Sequence, residues 1–252
     1  MMSTSITKRA DYGIDAPPVI RNLLIAGLAS IAAGVILDML LDQVQYTIAI
    51  IVLIWGALAG GSMLLTAGLM LRSSKVGKVR LREQLMDSLN LRGDETVLDV
   101  GCGRGLLLTA AARRLPAGKA IGIDLWQSVD QSGNRPGETL ANAQAEGVAS
   151  RVEIRTGDMR ELPFPDGMVD AVVSSLAIHN IPDRAGRVKA VQEIARVLKP
   201  GGQALLLDFQ AIDEYAQVFR EMGWQQVDVS RLNFQMFPPV RIVRGRKPSN
   251  AR

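Results

Sequence analysis

Between Gln43 and Leu71 the chain runs for 29 residues without a charged side chain, and TIAIIVLIWGALAGGSMLLTAGLML within that run is apolar or small almost throughout. An α-helix rises about 1.5 Å per residue, so the run is longer than the roughly 30 Å hydrocarbon core of a bilayer requires. It predicts a transmembrane helix over 46–71. A second uncharged run, NLLIAGLASIAAGVIL, lies between Arg21 and Asp38, and Met39, Leu40 and Leu41 extend it past the acid. An Asp near a helix end can reach the headgroups, so 21–41 is expected to be a second span. Lys8 and Arg9 ahead of an apolar segment also fit a cleaved signal peptide, and the two runs also fit a buried hairpin inside a soluble protein. The second, longer run following at once speaks against the former, and its 29 uncharged residues speak against the latter.

The connector Asp42, Gln43, Val44 and Gln45 is short enough to force an antiparallel hairpin. Lys8, Arg9 and Arg21 precede it, Arg72, Lys75, Lys78, Arg80 and Arg82 follow it, and its turn carries only Asp38 and Asp42. By the positive-inside rule both termini and everything after the hairpin are expected on the cytoplasmic side, as in a bacterial inner membrane. Gly56 and Gly60 form a GxxxG, and Ser30 and Gly34 a small-xxx-small pair. Packing within the hairpin, a dimer through it and a lipid-access groove all fit these residues. The basic run 72–82 is expected to attract anionic headgroups. It merges into a helical segment with Leu81, Leu85, Met86 and Leu89 on one face.

Charge narrows the partners. The chain has 29 Lys plus Arg and 25 Asp plus Glu, a net of +4. Residues 1–82 hold 8 basic and 4 acidic side chains, so 83–252 hold 21 of each and are neutral, which argues against a nucleic-acid partner. One Cys and one His exclude a Cys/His zinc cluster and an intramolecular disulfide, and no metal is expected.

From residue 95 short apolar strands alternate with helical stretches, the pattern of a mostly parallel, doubly wound sheet. Strands are expected at 96–100, 119–124, 152–156, 170–175 and 203–209, with a C-terminal pair near 227–230 and 240–244. Helices are expected at 105–115, 138–147, 184–198 and 211–222. The first strand enters VLDVGCGRG, where glycines at a strand-to-helix turn let a ligand approach the backbone. A dinucleotide fingerprint needs glycine at its sixth position, and counting from Gly101 that position is Leu106. Asp99 would oppose a pyrophosphate and suits a cationic ligand.

Asp99-x-Gly101-x-Gly103-x-Gly105, with an acid at the end of the second strand in IGIDLW, resembles a class I S-adenosylmethionine-dependent methyltransferase. GDMRELPF, SSLAIHNIPD and RVLKPGG follow in the family's order, most like its quinone- and small-molecule-modifying branch, over about residues 80–245. The resemblance implies a Rossmann-like α/β fold with a seven-stranded sheet and helices on both faces, here preceded by the hairpin. It implies S-adenosylmethionine as cofactor, with Asp124 accepting the ribose hydroxyls, Asp158 the adenine amine and the Met159 backbone the ring edge. Asp99, Gly101, Cys102, Gly103, Gly105, Leu125 and Ser174 complete the expected cofactor contacts. Cys102 is expected to be a small filler between glycines, Arg104 either reaches the cofactor carboxylate or is solvated, and Gly201 and Gly202 are expected to form a turn. The expected division is 1–20 as a cytoplasmic segment, 21–72 as two spans, 73–92 as a basic linker helix, 93–245 as the methyltransferase domain and 246–252 as a polar tail.

Methyl transfer from a sulfonium is an in-line displacement in which positioning dominates and a base is optional. His179, after the fourth strand, and Asp208, at the end of the fifth, are the candidate catalytic residues; a loop histidine that only shapes the pocket fits His179 equally. Trp126 would stack on adenine, cover the acceptor or simply precede the next helix. The acceptor pocket is expected between the linker helix at 80–90, the 125–137 loop and the 176–183 loop, beside the hairpin. That location points to a lipophilic or membrane-resident acceptor: a quinone, a lipid headgroup or a hydrophobic thiol. The rivals are a tethered non-catalytic cofactor-binding adaptor and a methyltransferase of soluble small molecules that the anchor only localises.

Overall fold

The structure, a computed structural model, describes residues 10–41, 45–127 and 133–249. Lys8, Arg9, the turn residues 42–44, part of the 125–137 loop and the last residues of the tail lie outside them.

Two long helices come first, α1 (Pro17–Leu41) and α2 (Tyr46–Arg72), of 25 and 27 residues. Both are long and apolar enough to cross a membrane, and only 11% of the most apolar stretch of each is buried inside the protein. Ile25, Leu28, Met39, Trp55, Leu58 and Leu65 are exposed. The two helices pack on each other through their glycines. A Cβ on Gly56 would come within 2.9 Å of the Gly34 Cα, and one on Gly60 within 2.5 Å of the Gly27 carbonyl oxygen. Of the three roles that fit the small-residue motifs, the hairpin's own packing is the one these contacts use.

The chain leaves α2 through a π-helical turn, Ser73–Gly77, into α3 (Lys78–Asp87). The linker was expected to present its basic residues to headgroups. Arg72, Lys75 and Arg80 are exposed, but Lys78 and Arg82 are buried. Lys78 Nζ donates to the Tyr12 carbonyl at 2.9 Å and to Asp15 Oδ1 at 2.8 Å, and Arg82 pairs with Glu146 at 2.8 Å. Helical periodicity turns these two cations toward the domain, where carboxylates compensate their desolvation.

The segment before α1 is not a free tail in its described part. The Asp11 N–H and C=O bond the Asn142 side-chain amide at 2.9 Å each. The Tyr12 hydroxyl is 2.7 Å from Thr109 Oγ1 and donates to Glu146 Oε1 at 2.6 Å, with the Arg82 guanidinium 4.7 Å above its ring. Burial pushes the Tyr12 phenol up to about 12. Residues 11–15 thus strap the start of the hairpin onto the sheet-bearing domain.

The soluble domain adds β1 (Thr96–Val100), α4 (Leu106–Arg113), β2 (Lys119–Asp124), α5 (Pro136–Ala145), β3 (Val152–Thr156), β4 (Val169–Ser175), α6 (Arg184–Val197), β5 (Leu198–Asp208), α7 (Ile212–Glu221), β6 (Gln225–Val229) and β7 (Arg241–Arg246). The sheet order is β3-β2-β1-β4-β5-β7-β6, parallel except for β7, which runs antiparallel to β5 and β6. Val97, Ala171, Val173, Leu205 and Leu207 face α3, α4 and α5, while Leu98, Val100, Val172, Ala204 and Leu206 face α6 and α7. A sheet covered on both faces accounts for nearly continuous apolar strands. Most boundaries shift by one or two residues, and one by more: β5 begins at Leu198 and includes Gly201 and Gly202. Its register jumps from Val169↔Leu198 to Ala171↔Gln203, so the expected turn is a bulge inside the strand. The order of strands reverses between β1 and β4, which sets the crevice for a ligand at their carboxyl ends.

Candidate functional site

At that crevice β1 ends in a tight turn. Gly101, Gly103 and Gly105 have φ of 71°, 50° and 81°, a left-handed region that L side chains seldom occupy. A Cβ on Gly101 would overlap the Ala177 Cβ, so the turn also needs a bare backbone to pass beneath the loop after β4. The Gly103 N–H donates to Asp124 Oδ2 at 2.8 Å, tying the glycine turn to the end of β2. Asp124 Oδ1 accepts from the Trp126 N–H at 2.6 Å and from Asn134 Nδ2 at 3.2 Å.

A cavity of about 850 Å³ opens there. Eight of the expected site residues line it: Gly101, Cys102, Gly103, Asp124, Leu125, Asp158, Met159 and His179. The other four do not. Asp99 is 2% exposed beneath the turn with Oδ2 lacking a partner, and burial pushes its carboxyl up to about 8. It therefore underlies the turn rather than lining the cavity. Gly105 is buried against α5, where a Cβ would sit 2.9 Å from Thr139 Cγ2. Ser174 is buried and donates to the Val100 carbonyl at 2.7 Å, while its neighbour Ser175 lines the cavity, because adjacent strand residues point to opposite sides. Asp208 lies buried behind the wall.

Among the lining residues, Asp158 is gripped by Arg160 at 3.0 and 2.6 Å, which holds its carboxyl below the ordinary range. Cys102 Sγ fits over Gly122, where a Cβ would come within 2.8 Å of it, and burial pushes the thiol well up. That is the expected filler. Arg104 is neither solvated nor on the cavity: its Nε donates to the Asp11 carbonyl at 2.8 Å, and Glu138 lies 3.2 Å away. It clamps the strap. Trp126 does not line the cavity either; its indole donates to Thr156 Oγ1 at 2.8 Å and leaves Leu125 and Gln127 on the wall.

His179, on the short helical turn Ile178–Asn180, and Asp208, at the end of β5, come together across 29 residues of sequence. His179 Nδ1 is 2.8 Å from Asp208 Oδ1, close enough for an ion pair once the imidazole is protonated, and the His179 backbone N–H reaches Asp208 Oδ2 at 3.3 Å. Asp208 is 1% exposed and also accepts from the Phe209 N–H at 2.8 Å and the Tyr215 hydroxyl at 3.3 Å. Burial of the Tyr215 phenol, together with the negative charge of Asp208 beside it, raises that phenol far above its ordinary range. The Phe209 ring leans on the imidazole with centroids 4.5 Å apart. The imidazole thus stands on the cavity wall with a buried carboxylate at its back.

Beyond the glycine turn the wall becomes largely apolar, with Leu176, Ile181, Phe209, Met236, Phe237 and Val240, and continues to Pro18, Val19 and Met70 at the hairpin's ends. None of residues 80–90 lines the cavity; from the linker only Ser73 and Lys78, just ahead of them, take part. Asp15 to Val19 and the β6–β7 connection are walls that sequence reasoning missed. They carry no motif, and only the path of the chain brings them here. Asp124, the glycine backbone and the neighbouring apolar surface together fit a ribose-bearing cofactor; the Asp158 carboxylate would have to share itself with Arg160.

Residues 98–206 match the family described as "Methyltransferase domain". A demethylmenaquinone methyltransferase of Lactiplantibacillus plantarum is 35% identical over 136 residues, 53% of this chain and 53% of that protein. A 27-O-demethylrifamycin SV methyltransferase of Amycolatopsis mediterranei is 32% identical over 163 residues, 61% of this chain and 55% of that protein. The chain spans about half the length of these relatives. Among solved structures, a geranyl diphosphate methyltransferase in complex with S-adenosylmethionine superposes with a TM-score of 0.56 at 16% identity, covering 74% of this chain and 89% of that one. The [4+2]-cyclase SpnF superposes at 0.58 with 20% identity over 68% of this chain and 81% of its own. At these identities the likeness is one of fold, and the cyclase shows that the fold carries more than one chemistry.

Proposed function

We propose that this chain, whose residues 98–206 match a methyltransferase domain, is a membrane-anchored S-adenosylmethionine-dependent methyltransferase of a lipophilic small molecule. Its acceptor is a quinone, a lipid headgroup or a hydrophobic thiol that enters from the hairpin side. One observation carries the reading: a single cavity joins the glycine turn and Asp124 to an apolar wall that ends at Pro18, Val19 and Met70, where α1 begins and α2 ends. An acceptor dissolved in the bilayer can reach such a site without crossing water. The demethylmenaquinone methyltransferases among the relatives support the quinone within this class.

In this reading α1 and α2 span the membrane, and exposed Arg21, Arg72, Lys75 and Arg80 mark its cytoplasmic face. Gly101, Cys102 and Gly103 offer backbone to the cofactor, Asp124 takes the ribose hydroxyls, and Leu125, Asp158 and Met159 hold the adenine. The bound cofactor supplies an electrophilic methyl group. The protein's work is to align the acceptor atom with it inside a cavity that excludes water. His179 takes the acceptor's proton where the acceptor has one to lose. Asp208 is a positioning residue, holding the imidazole from behind and stabilising it once protonated.

The test is methyl transfer by the full chain in bilayers containing a demethylated quinone, with labelled cofactor. Label recovered in the lipid phase is the expected result. Label only in water-soluble products would leave a methyltransferase that the hairpin merely localises; cofactor binding without transfer would leave a tethered adaptor.

A further inference from the structure

The connection between β6 and β7 bears a second feature, lined by residues other than those it gives to the large cavity. A shallow cavity of about 460 Å³ is lined by Arg72 at the end of α2 together with Ser230, Arg231, Asn233 and the exposed Leu232 and Phe234. Leu232 is 55% and Phe234 72% exposed, unlike the other aromatic and aliphatic side chains of the sheet end, which are mostly buried. Neither Arg72 nor Arg231 has a carboxylate partner among the described residues, whereas Arg241, at the start of β7, pairs with Asp213 at 2.7 Å.

The connection is fixed in place. Asn233 and Val240 exchange backbone hydrogen bonds at 2.7 and 3.1 Å, and the Asn233 side chain accepts from the Gln235 N–H at 2.8 Å. Toward the hairpin, the Phe237 N–H donates to Ser73 Oγ at 2.9 Å and Gln235 Nε2 to Gln84 Oε1 at 2.9 Å. The Gln235 carbonyl packs so closely on Gly77 that any Cβ there would overlap it. The connection is therefore docked on the turn that follows α2, with its two apolar tips level with Arg72, the first charged residue after the apolar run.

We propose that this surface is a binding site for the headgroup of an anionic phospholipid. Arg72 and Arg231 hold the phosphate, the Asn233 side-chain amide supplies a further donor, and Leu232 and Phe234 enter the interfacial layer beside the acyl chains. Two cations without carboxylates match an anion, and exposed apolar side chains at the same level match a lipid better than a free phosphate. With the hairpin, it gives the soluble domain a second point of attachment, which fixes the orientation of the cavity mouth toward the bilayer. The inference rests on the spanning reading of α1 and α2.

The test uses the full chain in vesicles of phosphatidylglycerol and phosphatidylcholine, with an environment-sensitive fluorophore on Phe234→Cys, on Leu58→Cys in α2 and on Asp94→Cys at the opposite end of the sheet. Buried Cys102 stays unlabelled. Brominated lipids are expected to quench the labels at 58 and 234 and to spare that at 94. Quenching at 58 alone overturns the site while leaving the span; no quenching at 58 removes the span and the site with it. In detergent, short-chain phosphatidylglycerol is expected to bind more tightly than phosphatidylcholine and to lose about fivefold in affinity for each of Arg72→Gln and Arg231→Gln. Equal binding of both lipids, equal displacement by inorganic phosphate, or no loss in the double variant would overturn the assignment.

Discussion

Asp99 lies under the glycine turn with its carboxyl raised to about 8, chiefly because burial disfavours the charged form. In the unfolded chain the same group titrates near 3.9. Between those values the folded state keeps a proton that the unfolded state has released. Stability attributable to this group is therefore complete at low pH and falls as pH rises, by about 1.4 kcal/mol per pH unit across the window, levelling off above about 8. The whole window is worth up to about 6 kcal/mol, roughly 10–25 °C in midpoint for a chain of this size. Asp99→Asn keeps the shape and the acceptor oxygen but cannot ionise. Its own amide adds a constant offset; only the slope is diagnostic. Thermal unfolding of the full chain in detergent, followed by tryptophan fluorescence from pH 5 to pH 8.5, is expected to show the variant gaining on the parent steadily with pH. Parallel midpoint curves for the two proteins would refute the burial account of Asp99.

Gly101→Ala must place a methyl where the Ala177 Cβ already stands, at a φ of 71°, and is expected to lose about 2–4 kcal/mol along with most cofactor affinity, read by calorimetry. His179→Ala is expected to lower kcat by about 10²–10⁴ for an acceptor that loses a proton and to leave cofactor affinity nearly intact, whereas Asp208→Asn should lower kcat and shift the pH–rate profile. An equal loss of cofactor binding in His179→Ala would mark the histidine as a pocket-shaping residue only. Gly60→Leu, which forces a side chain into the Gly27 carbonyl and Ile31, should cost the hairpin about 1–3 kcal/mol, seen as a lower midpoint with methyl transfer to a soluble acceptor unchanged. Tyr12→Phe removes the hydroxyl between Thr109 and Glu146 and should loosen the strap, raising amide exchange over residues 10–16 at a cost of about 1 kcal/mol.

Local pattern already determined much of this protein. The uncharged runs state two helices of spanning length, because apolar length is a property of contiguous residues. The alternation of strands and helices, the C-terminal antiparallel pair and the glycine turn are likewise local, and the order of motifs was enough to name the fold. What tertiary structure decided concerns direction and distance. Strand periodicity does not say which of Ser174 and Ser175 meets a cavity; register against β1 and β5 does. Asp99 and Asp124 look alike as acids at strand ends, yet one is sealed under a turn and the other stands on a wall. His179 and Asp208 were separate candidates until parallel pairing of β4 and β5 brought their loops to the same edge. Basic residues at 72–82 read as one stripe, but the helix turns two of them inward to carboxylates more than 60 positions away in sequence. The strap at 11–15 and the connection at 230–240 carry no motif at all, and they take part in the site because chain ends and loops are placed by the contacts that bury them, not by their own composition.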